Sequence, residues 1–366
     1  MSIDWKNVRR VLLVRLRSIG DTVLATPSLI ALKRFLPDAQ IDILLEDWVA
    51  PLLEHHDAID SVIPIATKSS IRVSDGKPLG YEAIVFRSLM AWALRRSKYD
   101  VVFNLHGGTT GTFFTFASGA PHRVGYSHYQ YHFLYNHVLT SSADFWGRPV
   151  THSAEQQLAL LGYVGVPVDD RPKSRLVVTE TALNSLEEKF HAKTQRTPGE
   201  IGRFALLHPA AAFETKQWAT ENFAQVSEFF AKKGMPTVAV AAKGERDVLE
   251  RLKVNSRAPI LTFNDLTLPE ITALASRASL FVGNDSGIAH IAAAVGTPTV
   301  VIFGSSNVDH WLPWTDAPNE VVAADFPGGS ADISRVTVKQ VTEAISRVKK
   351  NEEAGDRPAS SSSPRY

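Results

Sequence analysis

The sequence predicts an α/β chain of two doubly wound parallel sheets, and three observations carry that expectation. Short apolar runs alternate with amphipathic stretches from residue 11 onward. The alternation lapses over residues 165–174 (GVPVDDRPKS), where proline and charge replace the apolar period, and it resumes at residue 204. Apolar runs of this length between helical patterns read as strands buried on both faces, the mark of successive β-α-β units. At 366 residues the chain is too long for one ordinary core and suits two. We therefore expect two domains facing across a cleft, over residues 1–165 and 175–350, with ligands bound outside the carboxyl ends of the strands.

In order along the chain, residues 11–14 read as the first strand. Residues 22–35 read as a helix with Val23, Leu29, Ile30 and Leu32 on its apolar side. Strands follow over 41–45, 61–65 and 101–104, with helices near 49–55 and 81–96. Between Gly107 and Asn136 the pattern dissolves into glycine, threonine and aromatics, including the run from Tyr126 to Phe133, which reads as packing or an acceptor surface. A helix near 154–164 closes the first half. In the second half, strands are expected over 204–208, 237–241, 260–263, 280–283 and 299–303. Helices are expected over 220–232, 245–253 and 268–277, with a closing helix over 337–350 that could return to the first domain. Residues 351–366 (NEEAGDRPASSSSPRY) lack apolar periodicity and read as a disordered tail.

Composition narrows the function. A formal charge of +1 gives no support to nucleic-acid binding. With no cysteine there is no disulfide, thiolate metal site or cysteine nucleophile, which fits a cytoplasmic enzyme. The amino terminus does not read as a signal peptide, because Arg15 and Arg17 interrupt its short apolar run. No stretch approaches the ~18 apolar residues of a membrane span, so any membrane contact is expected to be peripheral. His55 and His56 are adjacent and cannot converge on one helix face, and His128 and His132 have no carboxylate within a turn; no metal is expected. Neither G-x-G-x-x-G nor G-x-x-x-x-G-K-[ST] follows any strand, so nicotinamide, flavin and P-loop chemistry lose their main warrant, and no cofactor is expected.

Four strand ends carry unusual polar residues. The most informative is FVGNDSGIAHIAAAV, residues 281–295, in which a strand, a polar turn and a small-residue helix follow one another. That order places free helix N–H groups at a strand end, where a phosphate is favoured. There Ser286 can cap the helix, Gly287 lets a ligand approach, and His290 sits one turn in. The first strand opens into Arg15-Leu16-Arg17-Ser18-Ile19-Gly20-Asp21. Asp21 reads either as a carboxylate complementing a helix dipole or as a general base. Arg15 and Arg17, expected to share one strand face, read as anion ligands or as partners of a buried carboxylate. After residues 204–208 come small residues, then Lys216 and Trp218; Lys216 could reach a diphosphate. After 237–241, Glu245 reads as a ribose ligand or a helix-start residue.

Residues 14–27, VRLRSIGDTVLATP, closely resemble the opening of the bacterial heptosyltransferases of glycosyltransferase family nine. Residues 283–290, GNDSGIAH, match that family again, and residues 208–218 resemble its H-P-(small residues)-K-x-W nucleotide loop. The three ordered motifs cover nearly the whole chain except the tail. The resemblance implies a GT-B fold of two Rossmann-like domains, and inverting transfer of heptose from ADP-heptose to the inner core of lipopolysaccharide or its lipid A precursor, at the cytoplasmic face of the inner membrane. It implies Asp21 as base and Lys216 as diphosphate ligand. Glu245 is implied at the ribose and Leu266 under the adenine, with Asp285, Ser286, Gly287 and His290 around the phosphates and sugar. Ala211 and Ala212 stand where some members carry threonines or glycine, so contacts there would rest on backbone N–H groups. Arg15 and Arg17 would engage an acidic acceptor. The alternatives from the residues alone are another sugar-nucleotide enzyme of this architecture, an epimerase among them, or a non-catalytic nucleotide-sugar-binding protein.

Overall fold

The computed structural model describes residues 2–66, 81–324 and 332–355. The chain divides into two compact units, Met1–Val177 and Val178–Tyr366. The division falls just beyond the proline-rich stretch, because that stretch is tied into the first unit. Asp170 accepts from Arg34 there, and the Arg175 N–H donates to Thr26 Oγ1 (3.1 Å).

The first unit holds strands β1 (Arg10–Val14), β2 (Gln40–Glu46), β3 (Ser61–Ile65), β4 (Val101–Asn104), β5 (His122–Tyr126) and β6 (His137–Leu139). The second holds β7 (Ala205–His208), β8 (Thr237–Val240), β9 (Ile260–Phe263), β10 (Leu280–Asn284), β11 (Thr299–Phe303) and β12 (Asn319–Ala323). Every pairing is parallel. The sheet orders are β3-β2-β1-β4-β5-β6 and β12-β11-β10-β7-β8-β9. Each is the Rossmann order, with a switch point between the unit's first and fourth strands, where adjacent crossovers depart to opposite faces and leave a crevice.

Burial explains why the strands were visible. β1, β4, β7, β8 and β10 to β11 are buried nearly throughout, so they read as unbroken apolar runs. Strands β5, β6 and β12 went unseen. β5 lies in the stretch expected to lack regular structure, where a helix (Thr109–Ala117) also forms, and β6 begins one residue past that stretch. The 22–35 helix is two pieces, Ile19–Val23 and Thr26–Phe35, broken just before Pro27. Residues 49–55 form only a short 3-10 turn, Ala50–Leu52, and a long helix, Glu180–Thr194, opens the second unit.

The closing helix runs Val338–Gly355, beyond the expected end at 350, because Asn351-Glu352-Glu353-Ala354 are tolerable to good helix formers. The beginning of the expected disordered tail is therefore helical, and its remainder lies outside the described residues. Val341, Ala344, Ile345 and Val348 bury in the second unit's own core beside Val300, Ile302 and Val322, so this helix closes the second sheet.

Candidate active site

In the first unit, β1 ends at Val14, so Arg15 and Arg17 lie in the loop beyond it rather than on the strand. The two therefore do not share a strand face. Arg15 is buried, donates Nη1 to the Leu105 carbonyl (2.7 Å) and forms an ion pair through Nη2 with Asp21, while Arg17 is exposed. Ser18 caps the helix Ile19–Val23 from a φ of +72°, a conformation that costs a serine on the order of 1–3 kcal/mol. Its hydroxyl donates to Asp21 Oδ2 (2.8 Å) and accepts from the Asp21 N–H (3.3 Å). The Asp21 carboxylate is thus held on both oxygens and retains about a fifth of its side-chain exposure (19%), enough to receive a proton from a ligand.

Across the switch point, β4 delivers Asn104. Its Oδ1 accepts from the N–H groups of His106 and Gly107 (both 3.0 Å), and its Nδ2 donates to Tyr135 Oη (2.6 Å). Gly107 and Gly108 both have positive φ, and a Cβ on Gly107 would lie 2.9 Å from the Tyr129 ring. Tyr129 and Tyr135, in and just beyond the aromatic stretch, therefore support the turn that presents His106. Burial, with the charges of Arg15 and Arg17, lowers the His106 pKa to about 4 against the opposing pull of Asp21, so this imidazole is neutral near pH 7. Sequence reasoning did not single out His106; a histidine and two glycines just past a buried strand were the available signal.

In the second unit, β7 and β10 flank the equivalent switch point. Asn284 ends β10 and ties the two loops together, accepting from the Trp218 N–H (3.1 Å) and donating to the Pro209 carbonyl (2.9 Å). Asp285 is 7% exposed and accepts from Lys216 Nζ (2.8 Å) and Ser306 Oγ (2.6 Å) on one oxygen. Ser286 occupies the N-cap of Gly287–Ala294 but makes no capping hydrogen bond. Its hydroxyl instead pairs with Nδ1 of His208 (3.1 Å), which burial holds at a pKa of about 4. The expected cap is therefore absent: the side chain turns to the buried histidine of β7, and the helix's first N–H groups receive no bond from it. His290 is buried in that helix.

The other sequence-derived candidates lie at neighbouring strand ends. Ala211 is buried and Ala212 exposed in the loop after β7, where Gln217 Nε2 donates to the Ala211 carbonyl (2.7 Å). Glu245, after β8, accepts from the Ala242 N–H (2.9 Å), so at least one of its oxygens serves a helix-start role. Leu266, after β9, is half-buried. Ser305 and Ser306, after β11, went unremarked in the sequence. Thr215 and Ser305 hydroxyls are 2.8 Å apart, and Gly304 allows this approach, since a Cβ there would lie 2.1 Å from the Thr215 carbonyl oxygen. Among the described residues no group of three or more histidine, aspartate or glutamate side chains converges.

Each unit thus gathers its polar groups at the crevice of a Rossmann sheet: Asp21, Arg15 and His106 in one, and Lys216, Asp285, Ser286 and Ser306 in the other. A sequence profile of glycosyltransferase family 9 (heptosyltransferase) matches residues 87–332. The chain belongs to glycosyltransferase family 9. This family 9 glycosyltransferase is 27% identical over 310 residues to lipopolysaccharide heptosyltransferase 3 of Escherichia coli strain K12, covering 82% of this chain and 84% of that one. Its fold matches the crystal structure of a family 9 glycosyl transferase from Veillonella parvula DSM 2008 with a TM-score of 0.81 at 20% identity, over 96% of this chain and 99% of that one. It matches the E. coli ADP-heptose lps heptosyltransferase II structure with a TM-score of 0.76 at 21% identity, over 94% and 99%. The architecture of this glycosyltransferase is accordingly GT-B, two Rossmann-like units in one chain.

Proposed function

We propose that this glycosyltransferase moves a heptose from ADP-heptose to the inner core of lipopolysaccharide, on a lipid A-bearing acceptor, with inversion at the anomeric carbon. The names of its relatives supply the donor and acceptor classes. The observation that carries the chemistry is Asp21, a part-exposed carboxylate fixed on both oxygens at the switch point of the first sheet.

In this reading Asp21 takes the proton of the acceptor hydroxyl as that oxygen attacks the anomeric carbon and the ADP oxygen leaves, a single displacement that accounts for inversion. Arg15 and Ser18 hold the base in place, so Arg15 acts on the reaction through Asp21. Arg17, exposed beside it, is left for an acidic acceptor. In the second unit, Lys216 and the N–H groups at the start of Gly287–Ala294 receive the diphosphate, stabilising charge as it develops on the leaving group. Asp285 and Ser306 set the position of the lysine. Ser286, Gly287 and His290 line the phosphate and sugar side, and backbone groups of Ala211 and Ala212 border it. Glu245 meets the ribose and Leu266 the adenine. The enzyme works in the cytoplasm in peripheral contact with the inner membrane.

The test is transfer itself. The purified chain is incubated with ADP-heptose and a panel of truncated lipopolysaccharide acceptors, and products are read by mass and anomeric configuration. A β-configured donor that yields a β-linked product, or no ADP release with any acceptor, overturns the proposal.

A further inference from the structure

The helix Tyr81–Arg96 buries one side and leaves another unmatched. Phe86, Met90 and Leu94 pack on the cluster of Leu12, Val14 and Val102 that covers one face of the first sheet. Phe114, from the neighbouring helix Thr109–Ala117, enters the same cluster, so both helices cover that face and present their outer sides together. On the outer side of the first helix stand Val85, Leu89 and Trp92, spaced as one stripe; Leu89 is 60% and Trp92 59% exposed. The second helix exposes Phe113 and Phe116, one turn apart.

Basic residues dominate the carboxyl-terminal part of this surface. Residues 85–98 contain Arg87, Arg95, Arg96 and Lys98 and no acidic residue, and residues 109–117 carry no charge. Glu82, in the first turn of the helix Tyr81–Arg96, is that helix's one acidic residue. The Arg96 guanidinium lies 4.7 Å from the centre of the Trp92 ring. The Arg95 guanidinium lies against Gly119, just past the second helix, and joins the two carboxyl-terminal ends. A helix with tryptophan and leucine on one side and arginine beside them, lying flat on a sheet, has the composition of an interfacial helix.

We propose that this face, centred on Leu89, Trp92, Phe113 and Phe116, docks on an anionic lipid bilayer, the apolar side chains entering the headgroup boundary and the arginines pairing with lipid phosphates. No helix among the described residues is long and apolar enough to cross a membrane, so attachment through such a face is of the reversible, surface-lying kind. The inference deepens the peripheral-membrane reading above by naming the surface, and it needs no part of the catalytic assignment.

The experiment is co-sedimentation of the full chain with phosphatidylethanolamine–phosphatidylglycerol vesicles and with phosphatidylcholine vesicles, paired with turnover on a water-soluble acceptor fragment. Wild type is expected to bind the anionic vesicles, more weakly as salt rises, and to bind phosphatidylcholine poorly. The double variants Leu89→Ser/Trp92→Ser and Arg95→Glu/Arg96→Glu are each expected to lose at least about tenfold in vesicle affinity and to keep wild-type turnover on the soluble fragment. Two outcomes overturn the docking surface: wild type fails to bind anionic vesicles, or both variants bind like wild type. A concentration-dependent dimer that Leu89→Ser/Trp92→Ser dissolves, without vesicle binding, assigns the face to a second copy of the chain and equally overturns the proposal. Vesicle binding without transfer to any acceptor removes the function proposed above and leaves the surface intact.

Discussion

Asp21 and Arg15 show how far a single residue's setting constrains its role. Asp21→Asn keeps the shape and removes the basicity, so we expect it to fold normally and lose about 10²–10⁴ in turnover under chemistry-limited conditions; near-normal turnover would remove Asp21 as the base. The arginines should separate by kinetics. Arg15 touches Asp21 and the Leu105 carbonyl, so Arg15→Ala should lower kcat with little change in acceptor KM. Arg17→Ala should raise acceptor KM, an effect that shrinks in high salt because exposed charge attraction is screened. Lys216→Ala should weaken ADP binding by roughly 1.5–3 kcal/mol, the range for hydrogen bonds to charged groups, and calorimetry measures it. His106 and His208 contribute to the pH dependence of stability, as do His56, His122 and His137, whose pKa values burial also lowers. The folded pKa values of His106 and His208, about 4, lie below the ordinary value of 6.5, so between those limits the unfolded chain binds more protons than the native one. Stability from this source is full above pH 6.5 and is lost as pH falls toward 4. Denaturant unfolding from pH 7 to pH 5 should show that loss, with a shallower slope in His208→Asn.

Elements decide what those residues can reach. Gly304 closes β11 where the Thr215 carbonyl oxygen would stand 2.1 Å from any added Cβ, and the clash is with backbone, which cannot rotate away. Gly304→Ala should therefore displace the short Glu214–Lys216 turn, lowering stability by about 1–3 kcal/mol as overpacking does. ADP affinity should fall with it, and thermal unfolding with and without ADP separates the two losses. Legibility also divides by element. β1, β4, β7, β8, β10 and β11 were readable because central parallel strands are apolar on both faces. The stretch from Gly107 to Asn136 was opaque for a physical reason: β5 carries His122 and Arg123, and its glycine at 125 accommodates the Tyr135 ring, so neither an apolar run nor an alternation appears. The arginines beyond β1 were misplaced because a two-residue alternation continues past Val14 in the sequence, whereas the chain has already turned toward the strained Ser18.

At the scale of the whole molecule, two Rossmann sheets with separate cores should respond separately to ligand. ADP at a hundred times its Kd should add about 2.7 kcal/mol to the unit that binds it. Hydrogen exchange in the presence of ADP should therefore slow at the loops after β7, β10 and β11, and leave the loops after β1 and β4 unchanged. Protection that appears first around Asp21 and His106 would place the nucleotide on the other sheet.

By itself the sequence determined the fold class and the strand ends that carry Asp21, Lys216 and Asp285-Ser286-Gly287. Each of these rests on local periodicity or on a short motif, and local patterns survive in one dimension. Only the tertiary structure decided how the polar groups are shared: Arg15 with Asp21, Lys216 and Ser306 with Asp285, Ser286 with His208, and Asn104 with Tyr135. Arg15 and Asp21 meet across the turn that follows β1, and the other pairs join residues from different loops or strands brought together by sheet order. A buried polar group takes whichever partner that arrangement delivers, because leaving it unpaired costs about 1–3 kcal/mol. Sheet order arises from packing between segments distant in sequence, which no window of residues records.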